Sequence, residues 1–284
     1  MQTAEPRQME GFIDYRSSRF RYRVMGDGPV LTVCFHGFGE SADHFSHVSE
    51  RLSDHTLVAI DMPFHGKTEW NEPDRLTVPE LARLVSECPP LAGRSYGVMG
   101  YSMGGKMALS LVQTDPGPVT HLCLIAADGL RFDPWHWFCT RTLLGKRLLK
   151  RMVDDPSRVL AMLRLFERAG WVNPSSYKFV TYHLKDPVLR RMVHGTWISL
   201  RDFTPDTSRV LGQVRAHRIP VCLVYGNYDR LAPRKQGENF YRSLGDQGWM
   251  KTVESGHILL NDRNAGDTAA AVADFLREAK PRSG

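Results

Sequence analysis

The chain is 284 residues long, 42% hydrophobic and 24% charged, the proportions of a globular protein and not of a disordered or fibrous one. Its 24 Gly and 17 Pro follow no period, and a body of this size buries a core without disulfide staples. The net charge of +6 sits in one internal stretch, because residues 131–214 carry 15 Lys and Arg against 7 Asp and Glu.

Taken from the amino terminus, MQTAEPRQME lacks both a basic n-region and an apolar h-region, so no signal peptide is expected. β-Branched and apolar runs then predict strands at 20–24, 30–35, 56–60, 95–100, 121–126, 221–225 and 249–253. Several of them (VLTVCF, HLCLIA, VCLVYG) are apolar almost throughout, the pattern of parallel strands covered on both faces. Helical patterns lie between them, at 42–52, 78–87, 104–113, 234–244 and 267–278. This alternation predicts a mainly parallel, doubly wound sheet. No apolar run approaches the roughly 20 residues that span a bilayer. Cys34, Cys123 and Cys222 lie inside strand runs with neither CxxC nor zinc spacing, and read as buried thiols of a reducing, cytoplasmic compartment.

Residues 131–214 break the alternation. They hold helical stretches cut by Asp133-Pro134, Asp155-Pro156, Asn173-Pro174, Asp186-Pro187 and Thr204-Pro205, and they contain Trp135, Trp137, Trp171 and Trp197. The expected arrangement is one core, residues 1–130 and 215–284, with a helical cap inserted as residues 131–214. Within the cap, Phe138, Leu144, Leu148, Leu163, Phe166 and Trp197 are expected to pack inward, and Arg147, Lys150, Arg151 and Arg158 to face water. No zinc finger, RNA-recognition signature or basic heptad accompanies the basic surplus, so no nucleic-acid partner is expected.

The sharpest local signal is Gly100-Tyr101-Ser102-Met103-Gly104, set between a strand run and a helical one. A serine in a tight strand-to-helix turn takes a strained backbone that lifts its hydroxyl above the sheet, and the flanking glycines relieve the crowding. A hydroxyl is a weak nucleophile and needs a base, which in turn needs an orienting acid. Among 11 histidines, His257 in Glu254-Ser255-Gly256-His257 stands just past the last strand, where a loop at the sheet's carboxyl edge presents it. Asp229, in Gly226-Asn227-Tyr228-Asp229 after VCLVY, is the candidate acid, with Asp128 one strand earlier as the alternative. A developing oxyanion needs backbone N–H donors, assigned to Met103 at the helix start and to Phe38 in His36-Gly37-Phe38-Gly39. His36 itself reads as an imidazole that holds this loop. Neither a metal nor an organic cofactor is implied.

Together, HGFG at 36–39, DMPFHG at 61–66, GYSMGG at 100–105, GNYD at 226–229 and SGH at 255–257 resemble the α/β-hydrolase superfamily, over about residues 20–130 and 215–280. The resemblance implies an eight-stranded, mostly parallel sheet flanked by helices, with a helical cap inserted after the sixth strand. It also implies a structural role for the 61–66 loop, which leaves His65 outside the chemistry. The nucleophile is Ser and not the Asp of the epoxide-hydrolase and haloalkane-dehalogenase branches, which sets those reactions aside. The expected activity is hydrolysis of a small carboxylic ester through an acyl-enzyme. GYSMGG also looks like the string of carbon–carbon bond hydrolases and of the cofactor-free lyase of menaquinone synthesis, and a non-catalytic ligand binder on the same fold is a third reading. The alternative to the inward packing of the cap is that its apolar residues form an acyl pocket, with at most one or two arginines turned toward an anionic substrate group. Oligomeric state is not encoded in any of these patterns.

Overall fold

The computed structural model describes residues 8–172 and 174–279; residues 1–7, Asn173, of the Asn173-Pro174 pair, and residues 280–284 lie outside them. Eight strands are present: β1 (Gln8–Tyr15), β2 (Ser18–Met25), β3 (Val30–Phe35), β4 (His55–Ile60), β5 (Tyr96–Tyr101), β6 (Val119–Ile125), β7 (Val221–Gly226) and β8 (Gly248–Val253). The helices begin with α1 (Ser46–Ser49), α2 (Val78–Glu87), α3 (Gly104–Thr114), α4 (Pro134–Arg141), α5 (Leu143–Asp154) and α6 (Ser157–Arg168). They continue with α7 (Pro174–Lys185), α8 (Pro187–Ser199), α9 (Thr207–His217), α10 (Arg234–Leu244) and α11 (Ala265–Glu278). The chain divides into two units, the first made of Met1–Glu72, Thr77–Arg131 and Phe203–Gly284, the second of Pro73–Leu76 and Phe132–Asp202.

All eight strands of the first unit form one sheet in the order β1-β2-β4-β3-β5-β6-β7-β8. β1 and β2 run antiparallel at one edge, and β4, β3, β5, β6, β7 and β8 run parallel to one another. Every residue of β4, β5 and β7 is buried, so the near-continuous apolar runs are what helices on both faces require. The sequence pattern missed β1. That strand is an edge hairpin partner of β2, joined through a two-residue turn in which Arg16 takes φ of 52°, and its polar Glu10 and Asp14 blur any alternation. The single helix expected at 42–52 is instead a 3₁₀ turn over Ala42–Phe45, capped by Ser41, followed by the one-turn α1.

A buried ion network ties the antiparallel edge to the parallel core. Arg21, almost without exposure on β2, reaches Glu10, Asp43 and the wholly buried Asp61. Asp61 accepts in addition from Ala42 N–H at 2.6 Å and Lys67 N–H at 2.9 Å, which closes the 61–67 loop around its carboxylate. Hydrogen bonding to Arg21 pulls the Asp43 carboxyl down to about 2. Removing one member strands a buried charge, so Arg21→Met is expected to cost about 3–5 kcal/mol by urea denaturation. A loss below about 1 kcal/mol would mean that the network contributes only as a surface ion pair does.

Neutral imidazoles are built into this unit as well. His121 is fully buried, its ring nitrogens facing Thr32 Oγ1 at 3.3 Å and Thr120 Oγ1 at 3.0 Å. Burial and the nearby His55 push its pKa down to about 3, and burial with the nearby His65 does the same for His36. A histidine whose native pKa lies below its unfolded value stabilises the fold fully above about pH 6.5, and loses that contribution as pH falls toward the native value. Each of the two is therefore expected to remove about 1.4 kcal/mol of stability per pH unit between about pH 6 and pH 4, before most carboxylates titrate. Urea midpoints measured across that window check the slope, and a flat profile from pH 7 to pH 5 would contradict it.

The second unit is helical. Asp133, Thr142 and Asp186 cap α4, α5 and α8 by accepting first-turn N–H bonds, and Pro opens α4 and α8. The rings of His136 and Trp197 meet at 5.0 Å between α4 and α8. Segment Pro73–Leu76 joins the unit through Leu76 N–H to Ser199 O, the Arg201–Asp74 pair and Asp202, which Arg75 and Arg141 share. The inserted stretch was expected to run to residue 214. In the structure α9 belongs to the first unit, where Val210 and Val214 are buried and the helix packs on α3. Leu144 and Leu148, expected to pack inward, are exposed; Phe138, Leu163, Phe166 and Trp197 are half-buried.

Candidate active site

Strands β3, β5, β7 and β8 are parallel, so the loops that follow them emerge at one edge of the sheet. Ser102 follows β5 directly and takes φ of 49°, a left-handed backbone that a serine adopts only under constraint. Three hydrogen bonds hold it there: Ser102 N–H to Ile125 O, and Gly105 N–H and Asp128 N–H to Ser102 O, at 2.8–3.0 Å. The turn is so tight that a Cβ on Gly100 would collide with Gly104 O, and one on Gly104 with the Phe35 carbonyl.

From this turn Ser102 Oγ lies 2.9 Å from His257 Nε2, and His257 Nδ1 lies 2.7 Å from Asp229 Oδ2. The Asp229 side chain is fully buried, and its second oxygen accepts from Leu231 N–H at 2.8 Å and Ala232 N–H at 2.9 Å. One oxygen thus shapes the loop before α10 while the other faces the imidazole. The loops of Asp229 and His257 are themselves stitched by Tyr228 N–H to Ser255 O at 2.9 Å. With the carboxylate accepting at Nδ1, that nitrogen carries the proton and Nε2 is left to accept from the serine hydroxyl.

Asp128 lies elsewhere in the network. Its oxygens are engaged by Gly129 N–H at 2.7 Å and by Lys106 Nζ at 2.7 Å, and its side chain is half exposed. Met103 is the cap residue just before α3, so its N–H stands at the helix end whose N–H groups have no partner four residues back. Phe38 sits in the loop after β3, its ring edge-on to His65 at 5.4 Å. His36 anchors that loop: it is fully buried, its Nδ1 faces Gly37 O at 2.7 Å, and its Nε2 accepts from Met62 N–H at 3.0 Å. His65 is buried too, with Nδ1 on Pro63 O at 2.9 Å.

Two neighbours were not singled out from the sequence. The Tyr101 ring stacks on His257 at 5.8 Å, and its hydroxyl donates to His257 O at 2.9 Å. Its only signal was its place beside Ser102 in the motif. Glu40 is packed near Gly37 and the Tyr101 ring, and burial raises its carboxyl although His44 and His257 pull the other way. Among the described residues no cluster of His, Cys, Asp and Glu has a metal-binding arrangement.

A strained serine, an imidazole and a buried carboxylate in series, following the parallel strands β5, β8 and β7, belong to a recognisable family. The family model described as serine aminopeptidase, S33, matches residues 30–264, and the chain belongs to that family within the α/β-hydrolase superfamily. It is 23% identical over 255 residues to the uncharacterized hydrolase YugF of Bacillus subtilis, covering 88% of this chain and 91% of that one. With the human monoacylglycerol lipase ABHD6 it shares 23% identity over 278 residues, 93% of this chain and 81% of the relative. Among solved structures, a thermophilic esterase from Thermogutta terrifontis superposes with a TM-score of 0.67 at 17% identity, over 95% of this chain and 98% of that one. That likeness bears on the fold.

Proposed function

We propose that the protein is a serine hydrolase of carboxylic esters that works through an acyl-enzyme. The observation that carries this reading is the series Ser102 Oγ, His257 Nε2, His257 Nδ1 and Asp229 Oδ2, spaced at 2.9 and 2.7 Å around a serine held in a left-handed turn. Membership of a hydrolase family, and likeness to relatives named as a hydrolase and a lipase, support the class of chemistry.

Ser102 attacks the ester carbonyl carbon while His257 Nε2 takes the hydroxyl proton, and Asp229 stabilises the resulting imidazolium. The carbonyl oxygen, now carrying the negative charge, is held by the N–H groups of Phe38 and Met103, the latter at the positive end of α3. Collapse expels the alcohol, which receives the proton from His257. Water, deprotonated by the same imidazole, then attacks the acyl-enzyme and releases the acid. Each step uses groups of the first unit alone.

A panel of short and long acyl p-nitrophenyl esters, run beside a vinylogous diketone, tests the reading. Ester turnover with no carbon–carbon cleavage is expected. Cleavage of the diketone without ester hydrolysis would replace it with carbon–carbon bond chemistry at the same serine.

A further inference from the structure

The second unit presents a surface that the proposed chemistry leaves unused. In α5, Leu143 is 77% and Leu144 67% exposed, and Leu148 stands one turn beyond Leu144 on the same face. Arg147 and Arg151 form a parallel exposed row beside those leucines. The next helix, α6, has no buried residue at all. It presents Leu165, 64% exposed, and Met162 among Arg158, Arg164 and Arg168. Just past its end, Trp171 is 77% exposed, resting on the Phe166 ring at 5.4 Å.

Exposed leucines are costly in water, and their interleaving with arginines is costly against an apolar protein face. Both costs vanish against one kind of surface. An anionic bilayer takes up leucine and tryptophan at the depth of the acyl boundary and pairs guanidinium groups with lipid phosphates just above it. Residues 132–202 hold 13 Lys and Arg against 6 Asp and Glu, a surplus of 7, so the charge sign fits as well. Nucleic acid satisfies the arginines but leaves Leu143, Leu144 and Leu165 in water.

We propose that the exposed face of α5, with its leucines and arginines, docks on an anionic phospholipid bilayer. No helix among the described residues is long and apolar enough to cross a membrane, so the contact is peripheral. The docking does not depend on the hydrolase reading, and its test needs no turnover.

The test is cosedimentation of the full chain with vesicles of phosphatidylcholine, with and without phosphatidylglycerol. Binding to the anionic vesicles should be at least about tenfold stronger and should weaken as salt is raised. Leu143→Asp with Leu144→Asp should lower partitioning by about tenfold or more, and so should Arg147→Glu with Arg151→Glu. Arg147→Lys with Arg151→Lys should keep it, and thermal melts of each variant confirm that it is folded. Equal binding to both vesicles, no binding to either, or unchanged binding by the folded Asp and Glu variants would overturn the proposal. So would tighter binding to duplex DNA than to vesicles. The same holds for a concentration-dependent mass in sedimentation that the Leu143→Asp, Leu144→Asp chain loses while vesicles leave the wild type unbound, since the face would then be a contact between copies.

Discussion

Ser102→Ala is expected to abolish ester turnover while leaving the melting profile within a few degrees of wild type. The backbone bonds that hold the turn do not involve the side chain that reacts. Its turn is held by backbone hydrogen bonds from Ser102 N–H to Ile125 O and from Gly105 and Asp128 N–H to Ser102 O, and these survive the loss of Oγ. Chemistry loses everything that covalent attack supplied, and in a serine protease the loss of such a nucleophile amounts to about a million-fold in kcat. Steady-state hydrolysis of a p-nitrophenyl ester by the purified variant measures it. Residual turnover within tenfold of wild type would mean that the serine is not the nucleophile.

The second large effect separates two aspartates. Asp229→Asn should lower kcat by about ten-thousand-fold, the size of the corresponding change in a serine protease, because the amide no longer selects the Nδ1–H tautomer or stabilises the imidazolium. Asp128→Asn should stay within a few fold of wild type, since Asp128 engages Gly129 N–H and Lys106 and not His257. Both variants are read from kcat on one ester at one pH. An inactive Asp128→Asn beside a nearly normal Asp229→Asn would move the acid to the loop after β6 and leave the nucleophile unaffected.

Much of this site is legible in one chain because its chemistry demands rare local structure. A left-handed serine between a strand and a helix needs glycines where Gly100 and Gly104 stand, and that requirement is written as a short string. Asp229 and His257 are legible only through chain order and their places after successive strands. That Asp229 also binds Leu231 and Ala232 N–H, as a turn aspartate does, shows why its role in the loop and its role beside His257 look alike in sequence. Tyr101 escaped notice because a buried aromatic beside a motif looks like core, and its bond to His257 O joins residues far apart in the chain.

The fold was less legible where a pattern has two solutions. Strand β1 is an edge partner with polar residues and lacks the apolar run that marks β6 or β7. Helix α9 carries the same Asp cap as α4 and α8 of the second unit, and only the burial of Val210 and Val214 against the core assigns it to the first. The same ambiguity hid the exposure of Leu144. Helical spacing tells which residues share a face but not whether another element covers that face.

An activated Ser102 reacts covalently with a fluorophosphonate, which phosphonylates the serine that His257 has primed. Incubation with a fluorophosphonate followed by intact-mass and peptide analysis should show one phosphonyl adduct per chain, on Ser102, and almost none in a His257→Ala variant that remains folded. Stoichiometric labelling at another residue, or an unlabelled wild-type chain that still hydrolyses esters, would contradict the account.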